Sequence, residues 1–159
     1  MAKYDVELFL NDIKTILTSH LNTKIAAINS EKNDTITLGS INNNAYFLQT
    51  LDNDEANFDP YVLYGIEDIK TVGIGPLSGH EYTIAIVIVV ADHQDGNCAK
   101  KMMRYQRALE EVFAEHFQEN EHGTKMEIQS IVPVSFKALN TSFRYRAIGV
   151  ALRAHLVGG

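Results

Sequence analysis

Three polar residues that could perform acid–base or metal chemistry follow directly on a long apolar run. The stretch TIAIVIVVADHQDG places Asp92, His93 and Asp95 at the carboxyl end of a predicted strand. Enzymes with α/β folds commonly bind ligands at that end of their strands. An imidazole between two carboxylates is suited to proton transfer or to binding a divalent metal. A small metal-dependent hydrolase is therefore one interpretation of this chain.

The same residues also fit an ordinary turn between a strand and a helix, which is the interpretation we prefer. Asp92 would stop the strand, and Asp95 would begin a reversal at Gly96. Asn97 would then cap the following helix, since asparagine is among the favoured capping residues. We therefore predict no catalytic residue, no cofactor site and no metal site, and we expect that the chain is not an enzyme.

Two other patterns have chemical potential but lack the structural context that the chemistry needs. The stretch GIGPLSG at 73–79 resembles a phosphate-binding loop, yet a predicted strand follows it instead of a helix. His116, Glu119 and His122 could be three metal ligands, but His122 lies beyond the predicted helix end and the HExxH spacing is absent. We expect a solvated turn there. His20 has no ligand-spaced neighbour along the chain.

Length and charge limit the classes of protein to consider. The chain has 159 residues, with 14 basic and 20 acidic side chains and a net charge of −6. This length suits one domain, 1–159, which buries roughly two thirds of its unfolded surface. Because no dense Lys/Arg cluster is present, we do not expect tight binding to nucleic acid.

The sequence also carries signals about compartment. The lone Cys98 cannot form an internal disulfide, which favours synthesis in the cytosol. The start of the chain is acidic and amphipathic, unlike a signal peptide. The longest unbroken apolar run, 84–91, is too short to cross a bilayer. We therefore expect no contact with a membrane.

Two segments, 4–21 and 99–117, carry apolar residues at the spacing of an amphipathic helix. In the second segment Lys101 and Arg104 come early while the glutamates come late. That order opposes the helix dipole and predicts charged partners. After the first helix, the runs TKIAAINSEKND, TITL and NNNAYFLQTLDND predict short strands separated by turns.

The remaining segments predict the sheet. Residues 52–81 form a long excursion with at most a short strand at 61–64, which we interpret as a partner-binding arm. The strand 81–91 is apolar on both alternating faces and belongs at the centre of the sheet. A strand starting at Met126 is expected to stop at Pro133.

A last strand covers 143–157. Its second face carries small residues, which would let another backbone or helix approach closely. The predicted fold class is thus α+β, a mostly antiparallel β-sheet packed by two amphipathic helices, with a long loop or β-arm excursion.

Aromatic residues and arginine are enriched at the centres of protein interfaces. For the tyrosines among our candidates, a place in the core is the alternative. The candidates are Phe58, Tyr61, Tyr64, Arg104, Arg107, Arg144, Arg146 and Arg153.

The order of these elements and four phrases of the sequence point to a known family. The phrases are DPYVLYGIEDI, KKMMRYQRALEEVFAEHF, EIQSIVPVSF and RAIGVALRAHL. Together they resemble the small tail-terminator and neck proteins of tailed bacteriophages. The resemblance implies a structural virion protein that forms a ring, commonly a hexamer, at the head-proximal end of the tail tube. Such a ring ends tail polymerisation and offers the surface for head–tail joining.

The resemblance also implies a set of partners and a location. The partners would be copies of the chain itself, the tail tube protein, the sheath protein of a contractile tail, and head-connector proteins. Double-stranded DNA would only pass through the lumen, and the ring would be assembled in the host cytoplasm into the tail or neck of the virion. Two alternatives stay open: another neck or head-completion protein of similar fold, and a module that binds a small ligand in a deep pocket.

Overall fold

The computed structural model describes residues 5–48, 59–72, 79–92, 97–121, 125–137 and 144–157. Over these residues the chain forms two long helices and five strands, with a short 3-10 turn at Phe117–Glu119 after the second helix. In chain order the elements are α1 (Val6–Lys32), β1 (Tyr46–Leu48), β2 (Tyr61–Val72), β3 (Gly79–Asp92), α2 (Cys98–His116), β4 (Lys125–Lys137) and β5 (Arg144–Val157). Neither of the two described helices is both long enough and apolar enough to cross a membrane.

Helix α1 extends to Lys32, well beyond the predicted helix end at residue 21. The strand predicted from TKIAAINSEKND is wrong, because Ile25 and Ile28 continue the apolar face of Leu21 at helical spacing and are at most 2% exposed. Burial on one helical face therefore outweighs the β preference of isoleucine. The helix ends at Asn33, whose backbone is left-handed (φ 44°) and whose N–H donates to the carbonyl of Asn29 at 3.0 Å.

The predicted strand TITL is also wrong, and the cause lies in two asparagines of α1. The side chain of Asn29 accepts from the N–H of Leu38 (2.8 Å) and donates to its carbonyl (3.0 Å). Asn22 makes the same pair of hydrogen bonds to Ile41, at 2.7 and 2.8 Å. Segment 35–41 is therefore held along the helix by side-chain amides, which satisfy backbone groups that a neighbouring strand would otherwise bind.

The five strands form one sheet in the order β1-β2-β3-β5-β4, with β1 parallel to β2 and every other pair antiparallel. This confirms the predicted α+β fold with a mostly antiparallel sheet. The excursion 52–81 contains a strand of 12 residues, much longer than the short strand predicted at 61–64. Paired with β3, this strand makes the β-arm that was one of the two predicted forms of the excursion.

One predicted strand end is also corrected. β4 runs through Pro133 to Lys137 instead of stopping at the proline. Because β4 lies at the edge of the sheet, the missing N–H of a proline is tolerated there.

The core lies between the two helices and one face of the sheet. On β3 the residues Ile84, Ile86 and Ile88 are fully buried, whereas Ala85 and Val87 between them are only partly buried. The central position predicted for this strand is confirmed, since it is third of five. The two faces are unequally buried over 84–88, whereas Val89 and Val90, which lie on opposite faces, are both buried.

Candidate functional site

The strand-to-helix turn predicted after the apolar run is confirmed at both of its ends. β3 ends at Asp92 and α2 begins at Cys98. Asn97 occupies the N-cap position, and its carbonyl accepts the N–H of Lys101 at 2.9 Å. Its side chain does not form the predicted capping hydrogen bond. His93 and Asp95 lie outside the described residues.

Two of the aromatic interface candidates belong to the core of the chain. Tyr61 is 4% exposed and Tyr64 is 6% exposed. The ring of Tyr61 meets Phe47 edge to face, with centroids 6.1 Å apart. Burial raises the pKa of Tyr64. The alternative interpretation, in which these tyrosines are core residues, matches their placement, while Phe58 lies outside the described residues.

Four pairs of polar and charged side chains join α1 and the residue Asp34 after it to α2 and the 3-10 turn after it, and we call this contact the helix seam. Positions that ascend along α1 pair with positions that descend along α2, so the two helices are antiparallel. The charged partners predicted from the order of charges on α2 are therefore present on α1. The four pairs are His20 with Glu119, Lys24 with Glu115, Glu31 with Arg107, and Asp34 with Arg104.

One end of the helix seam, the arginine end, consists of Glu31, Asp34, Arg104 and Arg107. The guanidinium of Arg104 donates two hydrogen bonds to the carboxylate of Asp34, at 2.6 and 3.0 Å. It donates a third to the carbonyl of Ile36 at 2.7 Å. Hydrogen bonding to Arg104 lowers the pKa of Asp34 to about 2. Arg104 is only 9% exposed, and these three hydrogen bonds are made within the chain.

Arg107 stands beside Arg104 on the same helix and is more exposed. Its two terminal nitrogens bind both oxygens of Glu31, at 2.7 and 2.8 Å, while its Nε donates to Glu111 at 2.7 Å. These bonds lower the pKa of Glu31 and raise that of Arg107. Although two carboxylates fix its position, the Arg107 side chain remains 39% exposed. Its role at an interface stays a prediction.

The three remaining arginine candidates lie on β5, beside the central strand. The register places Arg144 opposite Asp92, Arg146 opposite Val90, and Arg153 opposite Thr83. Their interface role stays a prediction as well.

The other end of the helix seam, the imidazole end, consists of His20, His116 and Glu119. Nε2 of His20 lies 2.6 Å and Nδ1 of His116 lies 3.2 Å from the same oxygen, Oε2 of Glu119. The two imidazole rings are stacked, with centroids 3.5 Å apart and an interplanar angle of 4°. The 3-10 turn after α2 positions the glutamate, because it carries the chain back towards α1.

A pocket of about 220 Å³ opens beside the imidazole end. Polar side chains of α1 and of the chain after α2 line most of it. The lining residues are Asp12, Thr15, Ile16, Ser19, His20, Glu119 and Glu121. On the far side of the cluster, Nε2 of His116 lies 3.8 Å from the carboxylate of Glu115. The cluster is thus flanked by further carboxylates and by room for solvent.

The sequence alone offers a different trio, for which we preferred a solvated turn and predicted no metal site. His116 and Glu119 were recognised as potential ligands, but the third member considered was His122, which lies outside the described residues. The structure supplies His20 instead, from a helix almost 100 positions earlier. The charge order of α2 gave no signal for this contact, because Glu119 lies in the turn after the helix.

Fold and side chains together define an α+β domain with a charged seam between its two helices. No protein-family model matches the chain, and the search of curated proteins found no match. Among solved structures, a similar chain occurs in one named "Virion of native gene transfer agent (GTA) particle". The similarity covers 89% of this chain and 95% of that chain, with 13% sequence identity and a TM-score of 0.40.

Proposed function

We propose that this chain is a structural virion protein that forms a ring, most simply a hexamer, at the head-proximal end of a phage tail tube. In this role the ring ends tail polymerisation and provides the surface for head–tail joining. The chain then has no catalytic role. Its partners are its own copies, the tail tube protein, the sheath protein of a contractile tail, and head-connector proteins.

The part of the sheet face around Ala85 and Val87, turned away from the helices, is the observation that carries this proposal; Val89, on the same face, is only 1% exposed and belongs to the core. Val87 on β3 is an apolar residue that is only partly buried, and it pairs with Leu63 on one side and Gly149 on the other. Ala85, next on the same face, pairs with Ala151 of β5. Small and apolar residues at the middle of a sheet allow a second copy to approach closely, and covering them removes apolar surface from water.

The family resemblance supplies the geometry of the assembly. The four phrases that carry it fall on β2, α2, β4 and β5, which are elements of the described fold. Ring closure requires head-to-tail contacts between unlike surfaces of neighbouring copies. A net charge of −6 suits a lumen through which DNA passes without being held, because phosphate contacts need basic side chains.

Light scattering coupled to size exclusion, run at several protein concentrations with and without purified tail tubes, tests this function. We expect a ring in solution or stoichiometric capping of tube ends. Binding to head connectors without binding to tubes would instead assign the chain to the neighbouring neck or head-completion proteins. A strict monomer that binds neither tubes nor connectors would overturn the proposal.

A matched pair of substitutions tests the surface. Val87→Lys places a charge on the apolar sheet face, whereas Ala114→Lys places the same charge on an exposed position of α2. We expect the first variant to lose self-association or tube binding and the second to keep it, with thermal unfolding confirming that both remain folded. The reverse result would move the interface from the sheet to the helix.

A further inference from the structure

We propose that the imidazole end of the helix seam is a binding site for one Zn²⁺ ion, held by His20, His116 and Glu119. Two imidazoles and one carboxylate form a ligand set known from zinc sites with three protein ligands. Here one ligand comes from α1 and two come from the end of α2 and the turn that follows it. The proposal does not depend on the assembly role.

The distances between the ligand atoms are close to what the ion requires. One potential ligand atom from each of the three side chains lies within 4.8 Å of the other two. A tetrahedral Zn²⁺ with ligands at about 2.0–2.2 Å holds the ligand atoms about 3.3–3.6 Å apart. The nitrogens of His20 and His116 lie 2.6 and 3.2 Å from Oε2 of Glu119, so each pair has to open by at most about 1 Å.

Binding also requires the two rings to turn. Parallel rings direct their nitrogen lone pairs side by side, whereas one ion needs lone pairs that converge. The side chains of His20 and His116 are 25% and 27% exposed and Glu119 is 50% exposed, which leaves the space for this rotation. Zn²⁺ takes the lone pairs of both nitrogens, so any proton on them is displaced to other atoms or to solvent.

The surroundings supply what zinc sites usually have beyond their ligands. Histidine ligands commonly place the other ring nitrogen against a carboxylate, which orients the ring and makes it more basic. Nε2 of His116 lies 3.8 Å from Glu115, beyond hydrogen-bond distance, so this carboxylate, which is also bound by Lys24, has to move closer to become such a partner. The adjoining pocket of about 220 Å³ has room for the water that completes a three-ligand site.

The chemistry of the ligands selects the class of cation. Imidazole favours Zn²⁺ and neighbouring transition metals, whereas Mg²⁺ and Ca²⁺ favour sites built from oxygen atoms alone. A bound ion would cross-link α1 to the end of α2, immediately before the chain enters β4. This cross-link would stabilise the folded chain, because the three ligands are brought together only on folding.

Zn²⁺ titration of the tag-free full chain, monitored by calorimetry and by competition with a chromophoric chelator, tests the site. We expect one ion per chain, a higher thermal unfolding midpoint with Zn²⁺ than with chelator, and no response to Mg²⁺. His20→Ala should weaken Zn²⁺ binding by at least about 10-fold, since the loss of even an outer partner of a ligand typically costs 10–100-fold. His20→Gln serves as a second variant if the alanine variant is unstable in chelator.

Two controls separate this site from other sources of binding. His122→Ala tests the trio suggested by the sequence, and Glu7→Gln removes an exposed carboxylate of α1. We expect both to bind Zn²⁺ as the unmodified chain does. The proposal is overturned if no stoichiometric ion binds, if the His20 variants bind with unchanged affinity, or if His122→Ala is the variant that loses binding.

Discussion

The two ends of the helix seam join the same pair of helices with different chemistry. At the arginine end, Arg104 donates two hydrogen bonds to Asp34. Arg107 likewise donates two hydrogen bonds to Glu31. Guanidinium groups stay charged and offer only donors, so they can hold carboxylates but cannot bind a metal ion. The imidazole end, with His20, offers nitrogen and oxygen atoms that a metal ion can use. One end is built for stability and the other is suited to binding.

The way in which each helix ends explains part of this difference. α1 stops sharply at the left-handed Asn33, and the next residue, Asp34, is delivered directly to Arg104. α2 has no left-handed cap and instead tightens into the 3-10 turn Phe117–Glu119. That turn brings Glu119 within reach of His20. The abrupt end of α1 is thus followed by the Asp34–Arg104 ion pair. The end of α2, which continues into a 3-10 turn, carries the more exposed cluster of His20, His116 and Glu119.

The largest effect is expected next to the arginine end, where Asn29 of α1 holds segment 35–41. Asn29→Ala leaves the N–H and the carbonyl of Leu38 without their partners, and Leu38 is 3% exposed. Two unsatisfied buried groups should lower the free energy of unfolding by about 2–4 kcal/mol, measured by urea denaturation. Asn29→Asp keeps the acceptor but sets a carboxylate oxygen against the carbonyl of Leu38, so it should also lose stability. Asn43→Ala, at an exposed position, should change it by less than about 0.5 kcal/mol.

This segment also shows where the sequence could not predict the fold. Local β preference in TITL is real, but the partner that satisfies its backbone is an amide side chain of a helix, and no local pattern encodes that contact. Leu21, Ile25 and Ile28 continue the helical spacing, yet we predicted a strand after residue 21 because the run TKIAAINSEKND carries β-preferring residues. The two amphipathic faces, the central strand and the last strand were predictable because each repeats its pattern over many residues.

The candidate site was predictable only in part, for the same physical reason. His116 and Glu119 are three positions apart, so their shared helical face follows from the sequence. Their pairing with His20 depends on the register of two antiparallel helices, which side-chain packing across the whole seam decides. The charge order on α2 correctly indicated that partners exist, but not which residues they are.

A change of pH should separate the two ends, because the carboxylates of the arginine end are held ionised. The pKa of Asp34 is lowered to about 2 from 3.8, so its stabilising effect is complete above about pH 4 and is lost as the pH falls through about 2. Asp34→Asn should therefore be less stable than the unmodified chain at pH 7 and equal to it at the acid limit. Urea midpoints measured from pH 7 down to pH 2 give this difference.

A constant difference across that range would show that Asp34 acts through packing and not through its charge. Glu31 and Glu115 also have a lowered pKa, through Arg107 and Lys24, so the unmodified chain and the variant should both lose stability in acid. The variant should lack only the share of this pH dependence that comes from Asp34.

A substitution at the C-cap of α1 is expected to raise the stability of the fold. Asn33 adopts φ 44°, a left-handed conformation that glycine enters without steric cost. Asn33→Gly should raise the free energy of unfolding by about 0.5 kcal/mol, since asparagine already tolerates this conformation better than most residues. Ser30→Gly, at an exposed position inside the helix, should lower it by a similar amount. Thermal melts of both variants check that the signs are opposite.

The smallest effect is expected at the imidazole end in the absence of metal. Glu119 is half exposed, and pairs at such positions often contribute nothing measurable to stability. Glu119→Gln in chelator should therefore change the free energy of unfolding by less than about 0.5 kcal/mol, whereas added Zn²⁺ should stabilise the unmodified chain more than the variant. A loss in chelator as large as that of Asn29→Ala would make the imidazole end a stabilising element like the arginine end. The contrast between the two ends would then fail, because both would hold the helices together without any ion.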